Sequence, residues 1–214
     1  MNAQFGSVER LSSRPVFSSP RATFCDYADR LARVMDAFDW APVEELAYEL
    51  ADCSVSRRQV FLAGNGGSAG NCVHLANDFL YGIAKFPGRA LRVTALTANA
   101  AVLTCLANDE GYERIFDIQL AELAQPDDVL IVMSGSGNSP NILKALEKAR
   151  EMGVRSYAIL GYDGGKAKAL ADVVIHTPID DMQISEDMQV IIGHMMMQWL
   201  CENRDVMNAT HALR

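Results

Sequence analysis

Val129 to Met133 reads V-L-I-V-M, five apolar residues in succession with no polar position to turn toward water. A strand covered on both faces needs that pattern, so the run predicts a central parallel strand. Less uniformly apolar runs at Leu91–Leu96, Val154–Leu160 and Val173–Thr177, and a short one at Val60–Ala63, predict four more. Between them the spacing changes to three and four, the period of a helix with one buried face. Tyr27, Leu31, Val34, Met35 and Phe38 recur this way, and after Pro42 the pattern resumes with Leu46, Leu50 and Cys53. Further helices are predicted over 68–83, 98–107, 112–123 and 139–152, and from near Ser185 to Leu200. Strand and helix alternate, which is the signature of an α/β fold with a parallel sheet. The helices over 23–53 precede that unit and pack either on a second subunit or over one sheet face.

At 214 residues the chain buries roughly 70% of its unfolded surface and folds without metal or disulfide. The expected organisation is one domain over 23–202. Residues 1–22, rich in serine, are expected to be a flexible N-terminal tail, and 203–214 a C-terminal tail. With 21% charged residues and a formal net charge of -8, the surface does not suit nucleic acid or anionic lipid. No apolar run reaches the length of a membrane span. The five cysteines are odd in number and form no C-x-x-C pair, which places the protein in a reducing cytoplasm.

Chemistry concentrates where two strands end. The central strand breaks into Ser134, Gly135, Ser136, Gly137 and Asn138, then Ser139 as an N-cap and Pro140 at the first helical position. Small residues, three hydroxyls and a helix N-terminus in one loop fit a phosphate. A plain strand-to-helix connector is also rich in Gly and Ser, but needs only one cap. The first strand runs into Gly64, Asn65, Gly66, Gly67 and Ser68. Gly64, Gly66 and Ala69 satisfy a loose dinucleotide pattern, yet the acid that should close the second strand is missing, since Leu96 is followed by Thr97, Ala98 and Asn99. That loop reads as a second phosphate or sugar site, with no nucleotide cofactor.

Four titratable residues lie on the helices nearby. His74 and Asp78 are four apart and share one helical face. His194 lies inside the last helix, where a satisfied core histidine is the simpler alternative. Glu186 near that helix's start has a simple explanation in the helix dipole.

Taken together, G-N-G-G-S-A (64–69), S-G-S-G-N-S (134–139), D-G-G-K (163–166) and the late helical histidine resemble the sugar isomerase (SIS) domain family, and within it the phosphoheptose isomerases. The resemblance covers about residues 24–202. It implies a three-layer, doubly wound sandwich around a five-stranded parallel sheet, and a homotetramer with active sites shared between subunits. It implies that Ser134, Ser136 and Ser139 bind phosphate, and that Asn65, Gly66, Gly67, Asn108 and Asp109 touch the sugar, with Ser68 capping the first loop. Gly135 stands where the family has Thr, and Gly82 where it has Arg. The proton-moving pair of the family falls on Asp78, where the family has Glu, and His194. Some members bind zinc, and the corresponding set here is His74, Asp78, Glu186 and His194, with Glu186 in place of a Gln.

The function so implied is ketose–aldose isomerisation of a phosphosugar, sedoheptulose 7-phosphate to D-glycero-D-manno-heptose 7-phosphate, through an enediol with Asp78 as base and His194 as acid. Isomerisation of a pentose or hexose phosphate is one alternative. A non-catalytic phosphosugar sensor or scaffold is another, and members of that kind lack the late histidine.

Overall fold

The computed structural model describes residues 19–83 and 90–212. The chain divides into two compact units, residues 1–36 and 37–214. The first contributes the helix α1 (Pro20–Asp36). The second begins with α2 (Ala41–Ser56), whose buried residues Leu46, Leu50 and Cys53 are those singled out by the sequence spacing.

Five parallel strands follow: β1 (Gln59–Gly64), β2 (Arg92–Ala95), β3 (Val129–Ser134), β4 (Arg155–Leu160) and β5 (Val173–His176). Their spatial order is β2-β1-β3-β4-β5. Each lies within two residues of its predicted run. β3 is buried at every position, as its unbroken apolar sequence requires. It pairs with β1 from Val60↔Val129 to Gly64↔Met133, so the two strands end side by side. The chain winds one way from β1 to β2 and the other way from β1 to β3. That reversal leaves a crevice outside the carboxyl ends of β1 and β3, where ligands bind in sheets of this kind.

The helices between the strands are α3 (Gly66–Asn77), α4 (Ala100–Asp109), α5 (Asp117–Leu123), α6 (Pro140–Met152) and α7 (Ala167–Leu170), and α8 (Met182–Glu202) and α9 (Arg204–Ala212) follow β5. Alternate strand residues divide the core between the two sheet faces. Phe61, Ala63, Leu130, Val132, Ala158 and Leu160 pack with Leu120 of α5 and Ile142, Ala145, Leu146 and Ala149 of α6. The residues between them, Leu62, Ile131, Tyr157 and Ile159, are also fully or almost fully buried, so the sheet is covered on its other face too.

Several helices depart from their predicted form. The helix expected over 68–83 changes at Asp78 into a π-helical turn, Asp78–Gly82. The helix expected over 112–123 splits into a 3₁₀ turn, Tyr112–Arg114, and α5. Residues 203–214, read as a tail, carry α9, and its Met207 is buried. The last helix starts at Met182, earlier than Ser185. Its cap is Asp181, which accepts a hydrogen bond from the Ile184 N–H at 3.0 Å. Glu186 is therefore in the second turn, where the dipole explanation no longer applies.

Candidate active site

The two small-residue loops leave the ends of β1 and β3 and line one cavity of about 260 Å³. Its walls are Asn65, Gly66, Gly67, Ser68, Ser134, Gly135, Ser136 and Ser139, closed by Met133, Met182 and Glu186. The three serines predicted to hold phosphate are thus brought together with the first loop.

Both helices that begin at this cavity lack a side-chain cap. Asn65 is the N-cap residue of α3 and Ser139 that of α6, and neither side chain accepts a bond from its own helix. The first-turn N–H groups of α3 have no partner within the helix, while in α6 Pro140 has no N–H and Ile142 donates to the Ser139 carbonyl at 3.0 Å, so donors chiefly from α3 and two positive dipole ends are aimed at one small space. An anion with several oxygens complements it.

The serine loop is held from outside the cavity. Ser134 Oγ accepts from the Gly137 N–H at 3.1 Å, and the Asn138 side chain accepts from the Lys166 N–H at 3.1 Å. The loop of 163–166 packs so closely that a Cβ on Gly137, whose φ is +61°, would sit 2.0 Å from the Gly164 carbonyl oxygen. At Gly135 a Cβ would meet Met182 Sδ at 2.7 Å. Where the resembling family has Thr, the space is filled by a thioether.

The second cluster lies further along α3, on the π turn that continues it, and on α8. His74 Nε2 is 2.8 Å from His194 Nε2, and Asp78 Oδ2 is 3.5 Å from each. The predicted sharing of a face by His74 and Asp78 is seen directly. His194 is no core histidine, since 45% of its side chain is exposed. Two features bring it in. Asp78 opens the π turn, which displaces the following residues from α-helical register. Gly193 lets α8 approach α3, for a Cβ there would be 2.3 Å from Leu75 Cδ2.

His74, Asp78 and His194 form a group able to hold a metal, with one ligand atom from each within 4.8 Å of the others. A tetrahedral ion with bonds near 2.1 Å separates its ligand atoms by roughly 3.3 Å, so the observed spacings and the two-nitrogen, one-oxygen donor set fit. Glu186 does not join them. It stands eight residues before His194 on one helix, about 12 Å along the axis. Its carboxylate lies against Gly67 instead, where a Cβ would meet Oε2 at 2.3 Å. The four-residue set expected from the sequence is therefore not assembled within one chain. Asn108 and Asp109 also stay apart: they are exposed in the last turn of α4, hydrogen-bonded to each other at 2.7 Å, and do not line the cavity.

Two contributors have no counterpart among the residues picked out from the sequence. Asn141, 1% exposed, exchanges amide hydrogen bonds with Asn65 at 2.8 and 2.9 Å, and Tyr112 donates its hydroxyl hydrogen to Asn65 Oδ1 at 3.0 Å. Asn141 sits two residues beyond Ser139, in the first turn of α6 just past the loop signature. Tyr112 arrives from a separate turn and leaves no local signal.

A parallel sheet whose switch point carries a hydroxyl loop and two uncapped helix N-termini defines an α/β protein with a cavity suited to an anion. Residues 23–161 match the model of the SIS domain. The chain belongs to the SIS domain family. A phosphoheptose isomerase of Akkermansia muciniphila is 38% identical over 154 residues, covering 72% of this chain and 81% of that protein. That of Aliarcobacter butzleri is 34% identical over 175 residues, 82% and 92% of the two chains. The solved phosphoheptose isomerase of Neisseria gonorrhoeae superposes with a TM-score of 0.77 at 26% identity, over 85% of this chain and 98% of that one.

Proposed function

We propose that the protein is a ketose–aldose isomerase interconverting sedoheptulose 7-phosphate and D-glycero-D-manno-heptose 7-phosphate. The observation that carries this reading is the convergence of His74 of α3, Asp78 of the π turn that continues it and His194 of α8, two helices whose first residues line the phosphate cavity. Gly67 and His74 are seven residues apart on α3, about 10 Å. That span is of the order of an extended seven-carbon phosphosugar, which supports a phosphate at Ser134, Ser136 and Ser139 with the reacting carbons near the triad.

Asp78 takes the proton from C1 of the ketose while His194 gives one to the C2 carbonyl oxygen, forming the enediol. Asp78 then delivers its proton to C2 as the O1 proton returns to His194. Every atom is accounted for, and no redox partner is needed. His74 Nε2 lies 2.8 Å from His194 Nε2, so one imidazole donates to the other and the two rings hold each other in place. Zinc or another divalent ion held by His74, Asp78 and His194 would supply Lewis-acid polarisation of the substrate oxygens. Glu186, beside Gly67, is placed to contact the sugar rather than such an ion.

We further infer a homotetramer. α4 is rich in apolar residues yet buries none, and Val73, Leu80, Tyr81, Tyr48 and Met195 are exposed. Among the described residues no helix is long and apolar enough to cross a membrane, and all five cysteines are free thiols, in keeping with a cytoplasmic enzyme.

Incubation with a panel of five- to seven-carbon ketose phosphates tests the assignment. Aldose product from the seven-carbon substrate is expected. Turnover of shorter ketoses alone would reassign the substrate, and phosphosugar binding without turnover of any would leave a sensor or scaffold.

A further inference from the structure

The side chain of Asn65 does something an N-cap asparagine ordinarily does not. Asn is among the best N-cap residues because its oxygen accepts from the N–H two or three residues on. In α3 that bond is absent, although Asn65 has the extended backbone of a cap, φ −116° and ψ 153°. Both lone pairs of Oδ1 are already taken, one by Asn141 Nδ2 at 2.8 Å and one by the Tyr112 hydroxyl at 3.0 Å. Its own Nδ2 donates to Asn141 Oδ1 at 2.9 Å, which closes a reciprocal amide pair. Asn141 is buried to 1%, so the pair is shielded from water that would otherwise compete for it.

We propose that Asn141, assisted by Tyr112, is a positioning residue: it clips the Asn65 amide away from α3, and so prevents Asn65 from capping the helix N-terminus that opens onto the phosphate cavity. The inference rests on the reading of the cavity as a phosphate site. Two consequences follow. Released from the clip, Asn65 Oδ1 folds back onto the first-turn N–H groups of α3 and competes with phosphate for them. In the clipped state Asn65 has no free acceptor, so it meets substrate only as a donor through its remaining N–H, which suits phosphate or hydroxyl oxygens. The clip also ties α6 to the first loop, 76 positions earlier in sequence, and thereby holds the two uncapped helix ends toward one cavity.

The test measures inorganic phosphate binding, by the rise of melting temperature with phosphate concentration and by competitive inhibition of ketose phosphate turnover. Asn141→Leu replaces the amide with an apolar group of similar size. It is expected to weaken phosphate roughly fivefold, the equilibrium equivalent of one helix cap. The Michaelis constant should rise by the same factor, with a smaller change in kcat. In the Asn65→Ala background, where no self-capping is possible, Asn141→Leu should weaken phosphate no further. Should Asn141→Leu fail to fold, the exposed Tyr112→Phe frees one lone pair and is expected to shift phosphate affinity in the same direction by roughly twofold. Equal phosphate affinity in wild type and Tyr112→Phe or Asn141→Leu overturns the proposal, as do fully additive effects of the Asn65 and Asn141 changes. A wild-type protein that binds phosphate but turns over no ketose phosphate defeats the isomerase assignment and leaves this measurement intact.

Discussion

Gly193→Ala isolates the packing step that brings the two histidines together. A Cβ at this position would lie 2.3 Å from Leu75 Cδ2, 2.5 Å from Cδ1 and 3.0 Å from Cγ, with Leu75 wholly buried. Ordinary carbon contacts are about 3.5–4.0 Å, so α3 and α8 must part by about 1 Å or Leu75 must leave its rotamer. Overpacking of this size costs about 1–3 kcal/mol, and replacing a mid-helix glycine returns about 1 kcal/mol. The net loss is about 1 kcal/mol, a fall in melting temperature of about 2–4 °C for a chain of this length. The effect on chemistry should be far larger. His194 is the next residue, and its 2.8 Å contact with His74 does not survive a 1 Å separation. Misplacement on that scale lowers kcat about 100-fold. Steady-state kinetics with ketose phosphate, paired with thermal melts, read both numbers. Leu75→Val removes the clashing Cδ atoms, so Gly193→Ala with Leu75→Val should recover much of the lost kcat. A Gly193→Ala variant with wild-type kcat, or one whose kcat loss merely tracks unfolding, would refute the reasoning.

Replacing Ser136 and Ser139 together with Ala should raise the Michaelis constant about tenfold or more while leaving the melting temperature within about 2 °C, because both hydroxyls face the cavity rather than the core; unchanged Michaelis constants would remove phosphate from this loop. Asp78→Asn and His194→Gln should each lower kcat at least about 100-fold with the fold retained. Elemental analysis and chelation then separate the roles: full turnover in metal-free protein would leave acid–base catalysis alone. Burial pushes the Cys53 and Cys72 thiols from 9.0 up to about 12. The unfolded chain therefore releases these protons first, and stability present below pH 9 is lost as pH rises from 9 toward 12. Each thiol contributes a slope of about 1.4 kcal/mol per pH unit, so Cys72→Ala should flatten alkaline denaturation by that amount. An unchanged alkaline slope in that variant would show that Cys72 titrates alike in both states.

The five strands, their parallel arrangement and the two ligand loops were legible in the chain itself. A strand buried on both faces admits only apolar residues, and a loop that approaches a ligand admits only small ones. The run from Val129 to Asn141 meets both conditions within thirteen residues. His74 and Asp78 were equally readable, because four positions is a helical repeat. Local pattern stops there. Whether His194 is a core or a site histidine depends on the crossing of α8 over α3, set by Gly193 against Leu75, two residues 118 positions apart. The start of α8 at Met182, capped by Asp181, moved Glu186 out of the first turn, and helical rise then placed its carboxylate at Gly67, away from the triad. The Asn65–Asn141 clip joins residues 76 apart, and Asn65 by itself looks like an ordinary cap. Composition and period report what each segment must bury. Which polar groups meet across the switch point is decided only when the sheet order brings the ends of β1 and β3 together.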